Sequence, residues 1–200
     1  MTSIRHTVSP EDRYLDAARE AILAVGWSRT TLTDVARRAG VSRMTLYRRW
    51  PDTGTLLADL MTREWARTVE RALDGTSAGS AEEVADAVVA VVAALRADPL
   101  LRRIVDVDPE TLLPYLLDRR GRSQELLAGL LADTIAGAQR TGAVRPGDPA
   151  LLARSLLLAS QGFLLSAHTM AAPETGPGGR DADVTAYDEQ LRALVRGYLS

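Results

Sequence analysis

Cysteine is absent from the 200-residue chain, and with it go disulfides, thiolate nucleophiles and cysteine-ligated metals. The sequence offers two imidazoles, His6 and His168, too few for a histidine metal cluster and poor support for Ser-His-Asp chemistry. No glycine-rich phosphate loop and no paired acid/base residues stand out either, so no catalytic residue, metal or cofactor is expected. Lysine is missing as well: all 24 basic residues are arginine, which GC-rich codon usage explains. Aromatic residues make up 4% of the chain, which argues against a flat ligand held by stacking. The longest apolar stretch, Leu151 to Met170, is interrupted by Arg154, Gln161 and His168. It falls short of the roughly 20 uninterrupted apolar residues that span a bilayer. Met1 to Ser9 lacks the apolar run of a signal peptide. A cytoplasmic protein with no membrane partner is the expectation.

What is present is ordinary in amount: 46% hydrophobic and 25% charged residues, the composition of a folded globular chain. The net charge of -2 conceals an asymmetry. Residues 1–50 hold nine arginines against five acids, a net of +4, and residues 51–200 hold fifteen against twenty-one, a net of -6. A basic front on an acidic body points to an anionic partner at the N-terminal end.

Helical signals run the length of the chain, and strand alternation is nowhere seen. Ser9-Pro10-Glu11-Asp12 reads as an N-cap, a first-turn proline and two acids facing the helix dipole. Leu15, Ala18, Ile22 and Val25 form one stripe, ended by Gly26. A short second helix carries Leu32, Val35, Ala36 and Ala39, with Thr33 as its expected N-cap and Gly40 as its C-terminal stop. Ser42 caps a third helix that Pro51 stops near Trp50. A long helix follows from Thr53 or Thr55 to about Asp74, roughly 30 Å at 1.5 Å per residue. Ser80 with Glu83 reads as a capping box for the next. Segments at about 99–106, 109–118, 123–140, 148–170 and 183–199 complete an all-α pattern, with a Gly/Pro-rich loop at 172–181.

Residues 31–50 carry the most information. Two short helices meeting at Gly40, with the small Ala36 permitting close approach, make a helix-turn-helix. Val41, Leu46 and Trp50 take the apolar positions, leaving Arg43, Met44, Thr45, Tyr47, Arg48 and Arg49 on the other face. Arginines can neutralise phosphates or grip a guanine edge, and hydroxyls can donate to phosphate. Arg37 and Arg38 read as solvated surface.

This stretch resembles the tetracycline-repressor (TetR) family of transcriptional regulators. The resemblance rests on the Ala-Gly helix-turn-helix followed by Val41-Ser42, three variable residues, Leu46-Tyr47 and the Arg48-Arg49-Trp50 run, and covers about residues 11–60. It implies an N-terminal three-helix DNA-binding domain, residues 1–52, joined by a long helix to a ligand-binding and dimerisation domain, residues 53–200. Thr33 and Ser42 would lie at the helix starts, with Thr33 touching a phosphate. Arg43, Met44 and Thr45 would meet bases, Tyr47 would anchor the backbone, and Arg48 and Arg49 would add positive charge. Two departures stand out: Arg49 replaces a histidine or tyrosine, and Thr53-Gly54 replaces a lysine that opens the fourth helix.

The resemblance further implies a homodimer built from the helices at about 123–140 and 148–170, and a small-molecule cavity among residues 56–180. The second of those helices is apolar nearly all round and needs cover on more than one side. Ala159, Gly162 and Ala167 allow close approach, and Met61, Trp65, Tyr115, Gln161, Phe163 and His168 are the candidate effector contacts. The implied function is a dimeric repressor of a near-palindromic operator in double-stranded DNA, released when an effector tilts the helix at 53–74. The alternative, which the Thr53 departure keeps open, is a helical ligand-binding or adaptor protein that recognises no specific DNA.

Overall fold

The computed structural model describes residues 9–75, 79–170 and 179–200, with side chains from residue 184 onward in the last stretch. Its regular elements are helical throughout the described residues. His6 lies outside them, as do residues 172–178 of the expected loop. The chain forms two compact units, one comprising residues 1–64 with 99–122, the other residues 65–98 with 123–200.

The first unit opens with α1 (Pro10–Val25), where Ser9 Oγ accepts the Asp12 amide at 3.0 Å. Helices α2 (Leu32–Ala39) and α3 (Arg43–Tyr47) follow, and α4 (Thr53–Leu73) begins in this unit and continues into the other. Asp52 starts α4: its carboxylate accepts the Thr55 amide at 2.7 Å, which holds its pKa below the usual value. Helix α6 (Pro99–Val107), a 3-10 turn (Pro109–Leu112) and α7 (Leu113–Leu117) return to the same unit, with α6 packed on α1. Leu15, Ala18, Ile22, Val35, Leu46, Trp50, Leu56, Leu60, Leu100 and Ile104 are buried, whereas Val25, the last residue of the stripe expected on α1, is 37% exposed where the helix ends.

Charged groups tie the helices of this unit across long stretches of sequence. Arg63 on α4 donates to the Asp12 carbonyl at 2.9 Å and pairs with Asp16 at 2.8 Å, while its neighbour Glu64 accepts from Arg19 at 3.1 Å. A second tie closes the turn after α1. Asp108, buried at 6% exposure, accepts the Trp27 amide at 2.7 Å and the Ser28 amide at 3.4 Å. Gly26, at φ +91°, leaves the room: a Cβ there would stand 2.6 Å from the carboxylate oxygen.

The second unit is built from α5 (Ala81–Ala97), α8 (Arg122–Arg140, from Ser123 onward), α9 (Pro149–Leu165), α10 (Ala167–Met170), α11 (Gly179–Leu199) and the remainder of α4. The Ser80 cap forms as expected, except that the Glu83 carboxylate reaches back to the Gly79 amide. α5 packs mainly on α11 and also on α9. Its core joins Val84, Val89 and Val92 to Ile135, Leu152, Leu156, Leu191 and Val195. Arg96 grips Asp188 through both terminal nitrogens, at 2.8 and 3.1 Å, and donates to the Phe163 carbonyl.

Two boundaries differ from expectation in this unit. The helix expected at 148–170 breaks at Ser166, whose carbonyl is taken by the Thr169 amide and hydroxyl, starting a fresh turn. Ala167 is consequently buried rather than on an approachable face. Helix α11 starts at Gly179, four residues before the expected start.

Candidate nucleic-acid interface

The turn between α2 and α3 is held by backbone geometry. Gly40 adopts the left-handed conformation, φ 68° and ψ 34°. Its amide reaches the Arg37 carbonyl, and the Val41 amide reaches the Ala36 carbonyl at 3.0 Å. These are the two bonds of a Schellman stop, in which glycine meets no Cβ penalty. Ala36 is buried beneath the turn, where α2 meets α3.

Thr31, not Thr33, caps α2: its hydroxyl oxygen accepts the Asp34 amide at 3.2 Å and the hydroxyl donates to the Asp34 carboxylate at 2.6 Å. The helix begins two residues earlier than a cap at Thr33 would set it, so Thr33 is already inside the first turn and exposed. Ser42 caps α3 as expected, accepting the Thr45 amide at 3.1 Å. Helix α3 ends at Tyr47, short of Trp50, and two turn residues carry the chain to the buried indole. The Trp50 indole donates to Asp59 at 2.8 Å, and Tyr14 meets its ring edge-on.

The candidate side chains are used unequally. Ser42 and Thr45 share a hydroxyl–hydroxyl bond of 2.8 Å. The Arg43 guanidinium lies 4.8 Å from the Tyr47 ring centroid and donates to the Tyr47 hydroxyl at 2.9 Å. Arg49 is held by both oxygens of Glu11, at 2.8 and 3.3 Å, and that hydrogen-bonded pairing raises its pKa above the ordinary value. The Arg48 side chain is exposed and makes no ion pair or hydrogen bond among the described residues. Met44 is 68% exposed. α3 therefore presents a guanidinium stacked on a phenol and one bare apolar side chain, and the turn residue after it, Arg48, adds a guanidinium without a partner among the described residues. Arg37 and Arg38 are exposed, with Arg37 3.8 Å from Asp34.

The six candidate effector residues fall in both units. Met61, buried, and Tyr115, half-buried under the Arg119 guanidinium, belong to the first. Trp65, Gln161, Phe163 and His168 belong to the second, where Phe163 packs on the apolar core and His168 is exposed on α10. The Trp65 indole nitrogen is buried without a hydrogen-bond partner among the described residues. Asp108, Asp59 and Glu11, which fix the surroundings of α2 and α3, escape sequence reasoning. Their partners lie too far along the chain for any periodicity to reveal them.

A glycine-stopped helix, a capped successor and an outward face of arginine, methionine and hydroxyl groups define a helix-turn-helix transcriptional regulator. The family model for bacterial regulatory proteins of the tetR family matches residues 15–60. An uncharacterised HTH-type transcriptional regulator of Mycobacterium tuberculosis is 40% identical over 188 residues, covering 94% of this chain and 93% of that protein. A Mycobacterium bovis regulator matches to the same extent. The chain belongs to the TetR family. Its fold is also that of the TetR-family repressor QsdR from R. erythropolis, with a TM-score of 0.67 over 94% of both chains at 21% identity. No helix among the described residues is long and apolar enough to cross a membrane.

Proposed function

We propose that this chain is a homodimeric repressor that reads a near-palindromic operator with residues 1–52 and is released by a small molecule bound within residues 53–200. The observation that carries the DNA part is the outward face of α3 and the turn after it, where Arg43 is held on Tyr47 and the Arg48 side chain has no partner among the described residues. Arg48, the Tyr47 hydroxyl and the exposed Thr33 hydroxyl serve the phosphates, and the start of α3 at Ser42, Arg43, Met44 and Thr45 serves the bases. Arg49, committed to Glu11, contributes field rather than a direct grip.

Exposed leucines support the dimer: Leu126 and Leu130 on α8, and Leu151 and Leu158 on α9. A Cβ at Gly129 or Gly162 would meet no atom within 4 Å, so the protomer's own packing does not require glycine there. A two-fold pair of recognition helices about 34–36 Å apart meets successive major grooves. For the effector, the unpartnered Trp65 indole favours a ligand that offers a hydrogen-bond acceptor. Release is a population shift: a differential of roughly 3 kcal/mol between the two states changes occupancy about a hundredfold.

The test is binding of the full chain to the DNA flanking its own gene, against a random duplex of equal length, across a salt series. Preference for the flanking DNA that survives moderate salt is expected. Tyr47→Phe with Arg48→Ala should weaken binding at least about tenfold and flatten the salt slope. Sedimentation should give a dimer for both proteins. Equal weak binding to both duplexes, or a monomer, overturns the proposal.

A further inference from the structure

α3 contains two apolar residues other than its tyrosine, and they are treated oppositely. Leu46 is fully buried, whereas Met44 is 68% exposed, on a face otherwise made of arginines and hydroxyls. Among the described residues Met44 belongs to no buried cluster. The neighbouring polar groups are already engaged with one another, Ser42 with Thr45 and Arg43 with Tyr47. Met44 is thus the unengaged group near the start of the helix.

The chemistry of the major groove limits what such a side chain can recognise. Guanine and adenine offer acceptors and adenine and cytosine offer amino donors, and a thioether side chain satisfies none of them well. The apolar group in that groove is the C5 methyl of thymine. Methionine, unbranched and polarizable, can bend to cover a methyl at a range of approach angles.

We infer that Met44 is a specificity-determining residue that packs on the C5 methyl of one thymine in each operator half-site. The inference rests on the proposed DNA-binding function and adds the identity of a base to it. Met44 would select thymine over cytosine at that position by contact with the methyl, without a hydrogen bond to the base.

The experiment begins with an operator selected from a random duplex library by the full-length protein. Each thymine of the selected site is then replaced by deoxyuridine, symmetrically in both half-sites. This removes the methyl and leaves every hydrogen-bonding group in place. One symmetric pair of positions should lose about fifteenfold in affinity, about fourfold for each methyl no longer buried. Met44→Ala should bind the thymine and deoxyuridine duplexes equally at that position and keep the wild-type profile elsewhere, while Met44→Leu should restore the difference. The substituted side chain is exposed, so the fold is preserved. A methyl effect that persists in Met44→Ala, or no methyl-sensitive position in a specific operator, overturns the inference alone. Failure to select any sequence overturns the DNA-binding function beneath it as well.

Discussion

In the unit that carries the helix-turn-helix, charged side chains cross between helices: Arg63 to Asp12 and Asp16, Arg19 to Glu64, Arg49 to Glu11, and Asp108 to the amides after α1. In the second unit the helices meet largely through alanine, valine, leucine and isoleucine. The part-buried Arg96–Asp188 pair is flanked there by the solvent-exposed pairs Arg192–Asp86 and Arg196–Glu82. The difference follows from what each kind of contact can specify. Hydrogen bonds and ion pairs have distance and angle requirements, so they set the attitude of a short helix that must present side chains to a groove. Apolar packing is strong but non-directional and tolerates volume-conserving exchange. A five-residue helix such as α3 cannot hold itself by propensity and depends on its cap, on Leu46 and on the surroundings of Trp50.

The contrast can be broken most forcefully in the apolar unit. Leu191→Ala, at a fully buried core position, should cost about 2–5 kcal/mol by lost burial plus a cavity. Hydrogen exchange resolved along the chain should show the loss concentrated in α5, α9 and α11. Loss of protection confined to the first unit would contradict the division of the two cores.

Asp108→Ala should cost about 2–3 kcal/mol, because two amides in the turn after α1 lose a buried acceptor. The same site has a pH signature. Its carboxyl is held below the ordinary value by the Ser28 hydroxyl, against the opposing effect of burial, with help from the Trp27 and Ser28 amides and Arg29. A depressed folded-state pKa means stability that is fully present above the unfolded value of about 3.9 and lost as pH falls through the folded one. Protection of residues 26–30 should therefore drop in the wild type on acidification below about pH 4. In Asp108→Ala that acid-dependent increment should be missing; if it persists, the carboxylate is not its source.

The smallest effect sharpens the correction at α2. Thr31→Ala removes the cap and should cost about 1 kcal/mol, whereas Thr33→Ala, exposed inside the first turn, should stay within about 0.5 kcal/mol. Urea unfolding of the two variants side by side distinguishes them, and equal losses would return the cap to Thr33.

Much of the fold was legible because its signals are local. Caps at Ser9, Ser42 and Ser80, and the stop at Gly40, are bonds between residues a few positions apart, and a sequence displays such neighbours directly. The apolar stripe of α1 was legible as far as Ile22 for the same reason, since helical periodicity fixes which residues share a face. The second cap failed because Thr31 and Thr33 are both acceptable capping residues two positions apart, and the deciding bond to Asp34 depends on where the chain leaves the α1 turn.

By itself, then, the sequence determined an all-helical pattern, a glycine-stopped helix-turn-helix and the pool of arginines, hydroxyls and methionine from which the proposed DNA-reading face is drawn. Tertiary structure decided how that pool is used. Arg48 and Arg49 are adjacent and chemically identical, yet Glu11, 38 residues from Arg49, holds that one, while the Arg48 side chain has no partner among the described residues. Asp108, beside a helix-breaking proline, becomes the acceptor for an amide 81 residues earlier. Helical periodicity reports which face a side chain occupies, but the choice among charged partners waits until distant helices are brought within hydrogen-bonding distance.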